Sequence, residues 1–127
     1  MTLEILHVDD DDNIRDLVRL SFDLAGGARV HSAASGREAL TMVDDGLRPD
    51  VVLLDVMMPG FDGPDTLRAL ADRPGMLTVP VYFMTAQVMT EELDRLYSLG
   101  AAGVVTKPFD PMMLPGDIFE RVRTRSR

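Results

Sequence analysis

Apolar residues gather in five short runs along the chain: Leu3–Val8, Ala28–Ala33, 51–54, 79–84 and Gly103–Thr106. The third, VVLL, is unbroken, as expected of a strand covered on both faces. Between the runs, apolar positions recur at helical spacing. After the first run, Ile14, Leu17, Val18, Leu24 and Ala25 share a face, and Gly26-Gly27 supplies a stop. After the second, Ser35 and Glu38 are spaced as a capping box, Leu40 and Val43 face inward, and Gly46 ends the helix. After the third, Pro64 occupies a first-turn position, Leu67 and Leu70 face inward, and Pro74-Gly75 marks the end. After the fourth, Thr90 is placed to cap a helix with Glu91 and Glu92 in its first turn and Gly100 at its end. The last segment starts at Asp110. With Asp110 as cap and Pro111 first, Pro115 would fall in the second turn, where proline costs roughly 3 kcal/mol. The spacing therefore predicts irregular or 3₁₀ backbone over 112–114. A regular helix should restart at about Pro115, with Ile118, Phe119 and Val122 available for packing.

Strand and helix thus alternate five times, which indicates an α/β fold of parallel strands joined by right-handed crossovers. Two sheet orders fit: the doubly wound, flavodoxin-like 2-1-3-4-5 and the Rossmann-type order. In either, ligands bind beyond the carboxyl ends of the strands. The first strand leads into Asp9-Asp10-Asp11-Asp12, the third into Asp55, the fourth into Thr85-Ala86 and the fifth into Lys107-Pro108. In order 2-1-3-4-5 the first and third strands are neighbours, so Asp9, Asp10 and Asp55 converge. Crowded carboxylates raise one another's pKa, and a divalent cation removes that cost. Hard oxygen ligands select Mg²⁺ or Mn²⁺ over zinc. A metal beside a carboxylate, a lysine and a hydroxyl is equipment for phosphoryl transfer: the carboxylate attacks while the cations spread charge on the phosphoryl oxygens.

Each feature alone has a plainer reading. The aspartate run could be solvated acids at a helix start. Asp55 could merely end a strand, Thr85 is ordinary at a strand end, and Lys107-Pro108 could be a loop. Lys107 stands out because it is the single lysine among 13 basic residues. His7 and His31 read as core or surface histidines, and the nine methionines as core filler.

The length of 127 residues fits one domain over 1–127, and 46% hydrophobic residues can build a sizeable core. A net charge of -8 lacks the basic footprint of direct nucleic-acid binding. The absence of cysteine excludes disulfides, thiol catalysis and zinc-thiolate sites, and suits a cytoplasmic protein. The first residues lack the basic start of a signal peptide, and no window approaches the roughly 18 apolar residues of a membrane span. The Arg-rich end RVRTRSR reads as a helix end or as a cut into a longer protein.

Four segments, ILHVDDDDNIR, VVLLDVMMPGFDG, VYFMTA and VVTKPFDP, together resemble the receiver domain of two-component response regulators, of the chemotaxis-regulator type. The resemblance covers nearly the whole chain. It implies the 2-1-3-4-5 sheet with helices on both faces, and a phosphorelay function. It places the phosphoryl acceptor on Asp55 and Mg²⁺ (or Mn²⁺) on Asp10, Asp55 and the backbone carbonyl of Met57, with Asp9 acting mostly through water. It makes Thr85 the switch hydroxyl, Lys107 the phosphate-binding lysine and the Lys107-Pro108 bond cis. It implies a sensor histidine kinase or histidine phosphotransfer protein as donor. It also implies an output partner or effector domain, and a receiver that assists its own phosphorylation and dephosphorylation without being a conventional enzyme. Two positions depart from the pattern: Val104 replaces a common aromatic residue, and Leu114-Pro115-Gly116 interrupts the start of the last helix. Both lie on the family's usual output surface.

Rival readings meet specific obstacles. An aspartyl-phosphate phosphatase would want a second aspartate at position 57, which is methionine. A binding module that no longer uses phosphate has no need of Asp9, Asp10, Asp55, Thr85 and Lys107 together. A flavodoxin-like cofactor binder would want a Ser/Thr/Gly-rich loop after the first strand, where this chain offers aspartates that repel phosphate.

Overall fold

The computed structural model describes residues 2–125. Five strands, β1 (Leu3–Val8), β2 (Ala28–Ala33), β3 (Val51–Asp55), β4 (Val81–Thr85) and β5 (Gly103–Thr106), form one parallel sheet in the order β2-β1-β3-β4-β5. Five helices connect and follow them: α1 (Asp12–Ala25), α2 (Gly36–Asp44), α3 (Gly63–Ala71), α4 (Thr90–Ser98) and α5 (Leu114–Arg125). This is the doubly wound, flavodoxin-like order, and the Rossmann-type alternative falls away.

Side chains alternate across each strand, so the sheet carries two separate cores. Ile5, Leu53, Tyr82, Met84 and Val105 pack with Val18 and Phe22 of α1 and with Leu114 and Ile118 of α5. Leu6, Val8, Leu54 and Phe83 pack with Ala39 and Val43 of α2, Leu67 and Leu70 of α3, and Leu96 of α4. β1 and β3 run side by side with Leu6 opposite Val52 and Val8 opposite Leu54, which brings both carboxyl ends to one edge.

Several expectations need correction. β3 ends in Asp55 as expected, but β4 starts at Val81 rather than residue 79. Val79 donates to the Met76 carbonyl in a turn, and Pro80 has no N–H for the ladder. On α1 the buried side chains are Val18, Ser21 and Phe22. Leu24 is exposed, because the stripe continues at i+4 from Val18 to Phe22. The Ser35 hydroxyl accepts from the Glu38 N–H at 3.1 Å, but the Glu38 carboxylate accepts from Ala34 instead of Ser35, so the box is displaced by one residue. The complete capping box belongs to α3, between Asp62 and Asp65. Thr90 does not cap α4: Met89 holds that position and offers no side-chain acceptor.

The last helix breaks as its prolines require. Residues 111–113 form turns, α5 starts at Leu114, and Pro115 sits inside its first turn. Ile118 is fully buried, and Phe119 and Val122 are half-buried against the same core. The final two residues of RVRTRSR lie outside the described residues.

Candidate functional site

Asp9 follows β1 directly, and Asp9 N–H donates to the Ala33 carbonyl at 3.1 Å, continuing the β1–β2 ladder one residue past the strands. Its side chain is buried on the α1/α5 side of the sheet. One carboxylate oxygen accepts from the Asp11 N–H at 2.9 Å, and the other accepts from the Lys107 ammonium at 2.8 Å. Asp55 ends β3 on the same side and is 6% exposed. Lys107 reaches it as well, at 3.2 Å. A single ammonium therefore bridges the ends of β1 and β3. The cis Lys107-Pro108 bond follows it directly, as the resemblance implies.

Asp10 is exposed at the mouth of the site. Asp9, Asp10 and Asp55 each present a carboxylate oxygen within 4.8 Å of the others. Burial and the charge of Asp9 push the Asp55 carboxyl above the ordinary aspartate range, against the opposing pull of Lys107 and of the Met57 N–H. Burial alone would lower the Lys107 ammonium, but its hydrogen bond and charge interaction with Asp9, joined by Asp55, hold it above an ordinary lysine. The site is thus short of positive charge, and its donors are hard oxygens. That set suits Mg²⁺ or Mn²⁺ and is a poor set for zinc.

Thr85 ends β4 and is buried; its hydroxyl oxygen accepts from the Gln87 N–H at 3.0 Å, which leaves the hydroxyl hydrogen available for donation. Ala86 beside it is exposed and small. Met57 turns its side chain to solvent at 70% exposure and its N–H toward the Asp55 carboxylate.

Two contributors were not legible from the residues alone. Gly63 packs against the backbone of β3's end: a Cβ there would lie 2.4 Å from the Asp55 carbonyl oxygen and 2.9 Å from Val56 Cα. Glycine therefore lets the β3–α3 loop fold back and close, with Gly63 N–H donating to Val56 at 3.1 Å. Arg15 donates to the Asp9 carbonyl at 2.7 Å. Its only sequence signal was its place in the first turn of the helix after the aspartates.

Comparison with known proteins gives a consistent picture. The family model of the response regulator receiver domain matches residues 5–118. The regulatory protein AtoC of Escherichia coli is 41% identical over 84% of this chain and 22% of its own length. The DNA-binding response regulator MtrA of Mycolicibacterium smegmatis is 38% identical over 100% of this chain and 52% of its own. The chain thus spans about half, or less, of the curated relatives it matches. Among solved structures, the Vibrio cholerae chemotaxis protein CheY4 superposes with a TM-score of 0.87 at 31% identity, covering 94% of this chain and 98% of that one.

Proposed function

The chain belongs to the response regulator receiver domain family, and from that membership we propose that Asp55 accepts a phosphoryl group and that the resulting charge switches the conformation of the domain. The observation that carries the reading is Lys107 bridging Asp9 and Asp55 at the strand ends, beside a third carboxylate. One Asp55 oxygen attacks phosphorus, the bond from phosphorus to the donor breaks, and the donor keeps that electron pair. A mixed anhydride forms. Water attack on phosphorus later releases inorganic phosphate and restores the carboxylate, so the domain assists both steps.

Asp10, Asp55 and the Met57 carbonyl would hold Mg²⁺ or Mn²⁺, with Asp9 acting mostly through water. When bound, the ion offsets the negative charge that the carboxylates and the phosphoryl oxygens bring together. Lys107 pairs with one phosphoryl oxygen as a point charge, and Thr85 donates its hydroxyl hydrogen to another. The donor is a phosphohistidine on a sensor histidine kinase or phosphotransfer protein. Residues 1–127 act as one receiver unit whose output is a protein partner or an effector domain, in the cytoplasm and without direct contact to nucleic acid or membrane. No helix among the described residues is long and apolar enough to cross a membrane.

Purified protein given Mg²⁺ and a small acyl phosphate should gain one phosphoryl group that alkali and hydroxylamine remove, and Asp55→Asn should gain none. Labelling that persists in Asp55→Asn, or proceeds equally well in excess chelator, overturns the reading.

A further inference from the structure

We infer that Arg15 is a positioning residue for cation binding, acting through the peptide plane that joins Asp9 to Asp10; this rests on the reading of Asp10 and Asp55 as cation ligands. Arg15 lies in the first turn of α1, with its side chain 18% exposed. One guanidinium nitrogen donates to the main-chain oxygen of Asp9 at 2.7 Å, and the other terminal nitrogen pairs with the Asp12 carboxylate. Asp12 thereby aims the guanidinium, and the guanidinium aims the carbonyl.

That carbonyl has a particular leverage. The Asp9 C=O and the Asp10 N–H belong to one rigid peptide plane, so holding the oxygen fixes the direction in which Asp10 leaves β1. Asp9 has other anchors: its N–H on Ala33, one carboxylate oxygen on Asp11 and the other on Lys107. Asp10 has none of these. Its exposed carboxylate accepts no hydrogen bond among the described residues, so its orientation comes from the backbone alone. Without Arg15 the plane could rotate about the bonds that flank it, and the Asp10 carboxylate would leave the group it forms with Asp9 and Asp55.

Electrostatics predicts the opposite sign, which makes the inference decidable. A guanidinium on the Asp9 carbonyl repels a cation arriving at the neighbouring carboxylates, and removing it should strengthen cation binding on Coulombic grounds. Positioning predicts weaker binding, because partners that orient metal ligands are typically worth about 10–100-fold in affinity. The direction of the change therefore separates the two effects.

The test is calorimetric titration of Mg²⁺ into the full chain at constant ionic strength, with Arg15→Met, Arg15→Lys and Asp55→Asn alongside the wild type. Methionine keeps an apolar stem without donors; lysine keeps the charge on a single donor nitrogen, which cannot span the Asp9 carbonyl and Asp12 as the guanidinium fork does. The expected result is about tenfold weaker Mg²⁺ binding in Arg15→Met, with Arg15→Lys in between. The Mg²⁺-induced rise in thermal midpoint should shrink in the same order, while the midpoints in chelator change far less. If wild type binds Mg²⁺ and both Arg15 variants bind it equally or more tightly, positioning is overturned and the metal site stands. If wild type binds no Mg²⁺, or Asp55→Asn binds it as tightly, the cation-site reading fails and takes this inference with it. Should Arg15→Met not fold, the Arg15→Lys affinity alone decides, since its charge matches the wild type.

Discussion

His7 is the residue whose chemistry fits its surroundings least well. It lies in β1 two positions before Asp9, fully buried, and neither ring nitrogen finds a hydrogen-bond partner among the described residues. Burial drives its pKa down from 6.5 to about 4, with a partial counter-pull from Asp9. The folded chain therefore keeps His7 neutral at pH values where the unfolded chain protonates it. The stability that neutral His7 allows is full above about pH 6.5 and declines as pH falls toward 4, by roughly 3 kcal/mol across the window. His7→Leu should remove this dependence and the cost of the unpartnered nitrogens, raising stability at pH 7 by about 1 kcal/mol. Urea midpoints of both proteins between pH 7 and pH 4.5, in chelator, would show the two curves diverging as pH falls. Parallel curves would contradict the assignment.

Among the elements, α4 has the weakest start and the smallest buried face. Met89 caps it without a side-chain acceptor, and Leu96 is its only fully buried residue. Val88 and Met89 before it are exposed apolar side chains. The other four helices start in different ways: Asp11, Ser35 and Asp62 accept from first-turn N–H groups of α1, α2 and α3, and the Asp110 carboxylate orders the turn ahead of α5 by accepting from Met112 at 2.9 Å. Serine suits position 89 because the backbone there is already extended (φ -69, ψ 142) and no further charge is brought near Glu91 and Glu92. Met89→Ser should stabilise the domain by about 0.5–1 kcal/mol and slow amide exchange in the first turn of α4. Unchanged exchange there would mean that the uncapped end is not the loose one. The same looseness would serve the proposed switch, since residues 86–91 after Thr85 are exposed and have little packing to oppose movement.

Across the whole molecule, the proposed phosphorylation requires that charge added at Asp55 be felt at a surface. Phosphorylation can shift the conformational balance only by as much as the phosphoryl group's interaction free energy differs between the two states. Val104 lies on β5 opposite Phe83, half-buried, at the edge of a groove of about 600 Å³ that α5 completes with Asp117 and Arg121. It has no ring to swing inward and a stiff χ1. Readout should therefore run through Thr85 into the loop and helix over 86–100. Backbone NMR with beryllofluoride should show its large shifts within that segment; equally large shifts centred on Val104 and α5 would refute this.

What the sequence determined by itself was local in origin. Period-two and period-3.6 patterns, Gly and Pro punctuation and the strand-end residues depend on neighbours in the chain, so the five strands, the order of elements and the break before Pro115 were legible. The meeting of Asp9, Asp10, Asp55 and Lys107 was legible too, because side chains at the carboxyl ends of parallel strands gather at one edge. The tertiary structure alone decided the rest. That Lys107 bridges Asp9 and Asp55 depends on residues 98 and 52 positions apart meeting in space. Gly63 is required only because the loop returns onto Asp55, and His7 is unpartnered only because its neighbouring strands and helices offer it nothing. Arg15 reads as an ordinary helical cation until the turn of α1 lays it over the Asp9 carbonyl. Contacts across the sheet depend on packing and register, which a linear pattern does not encode.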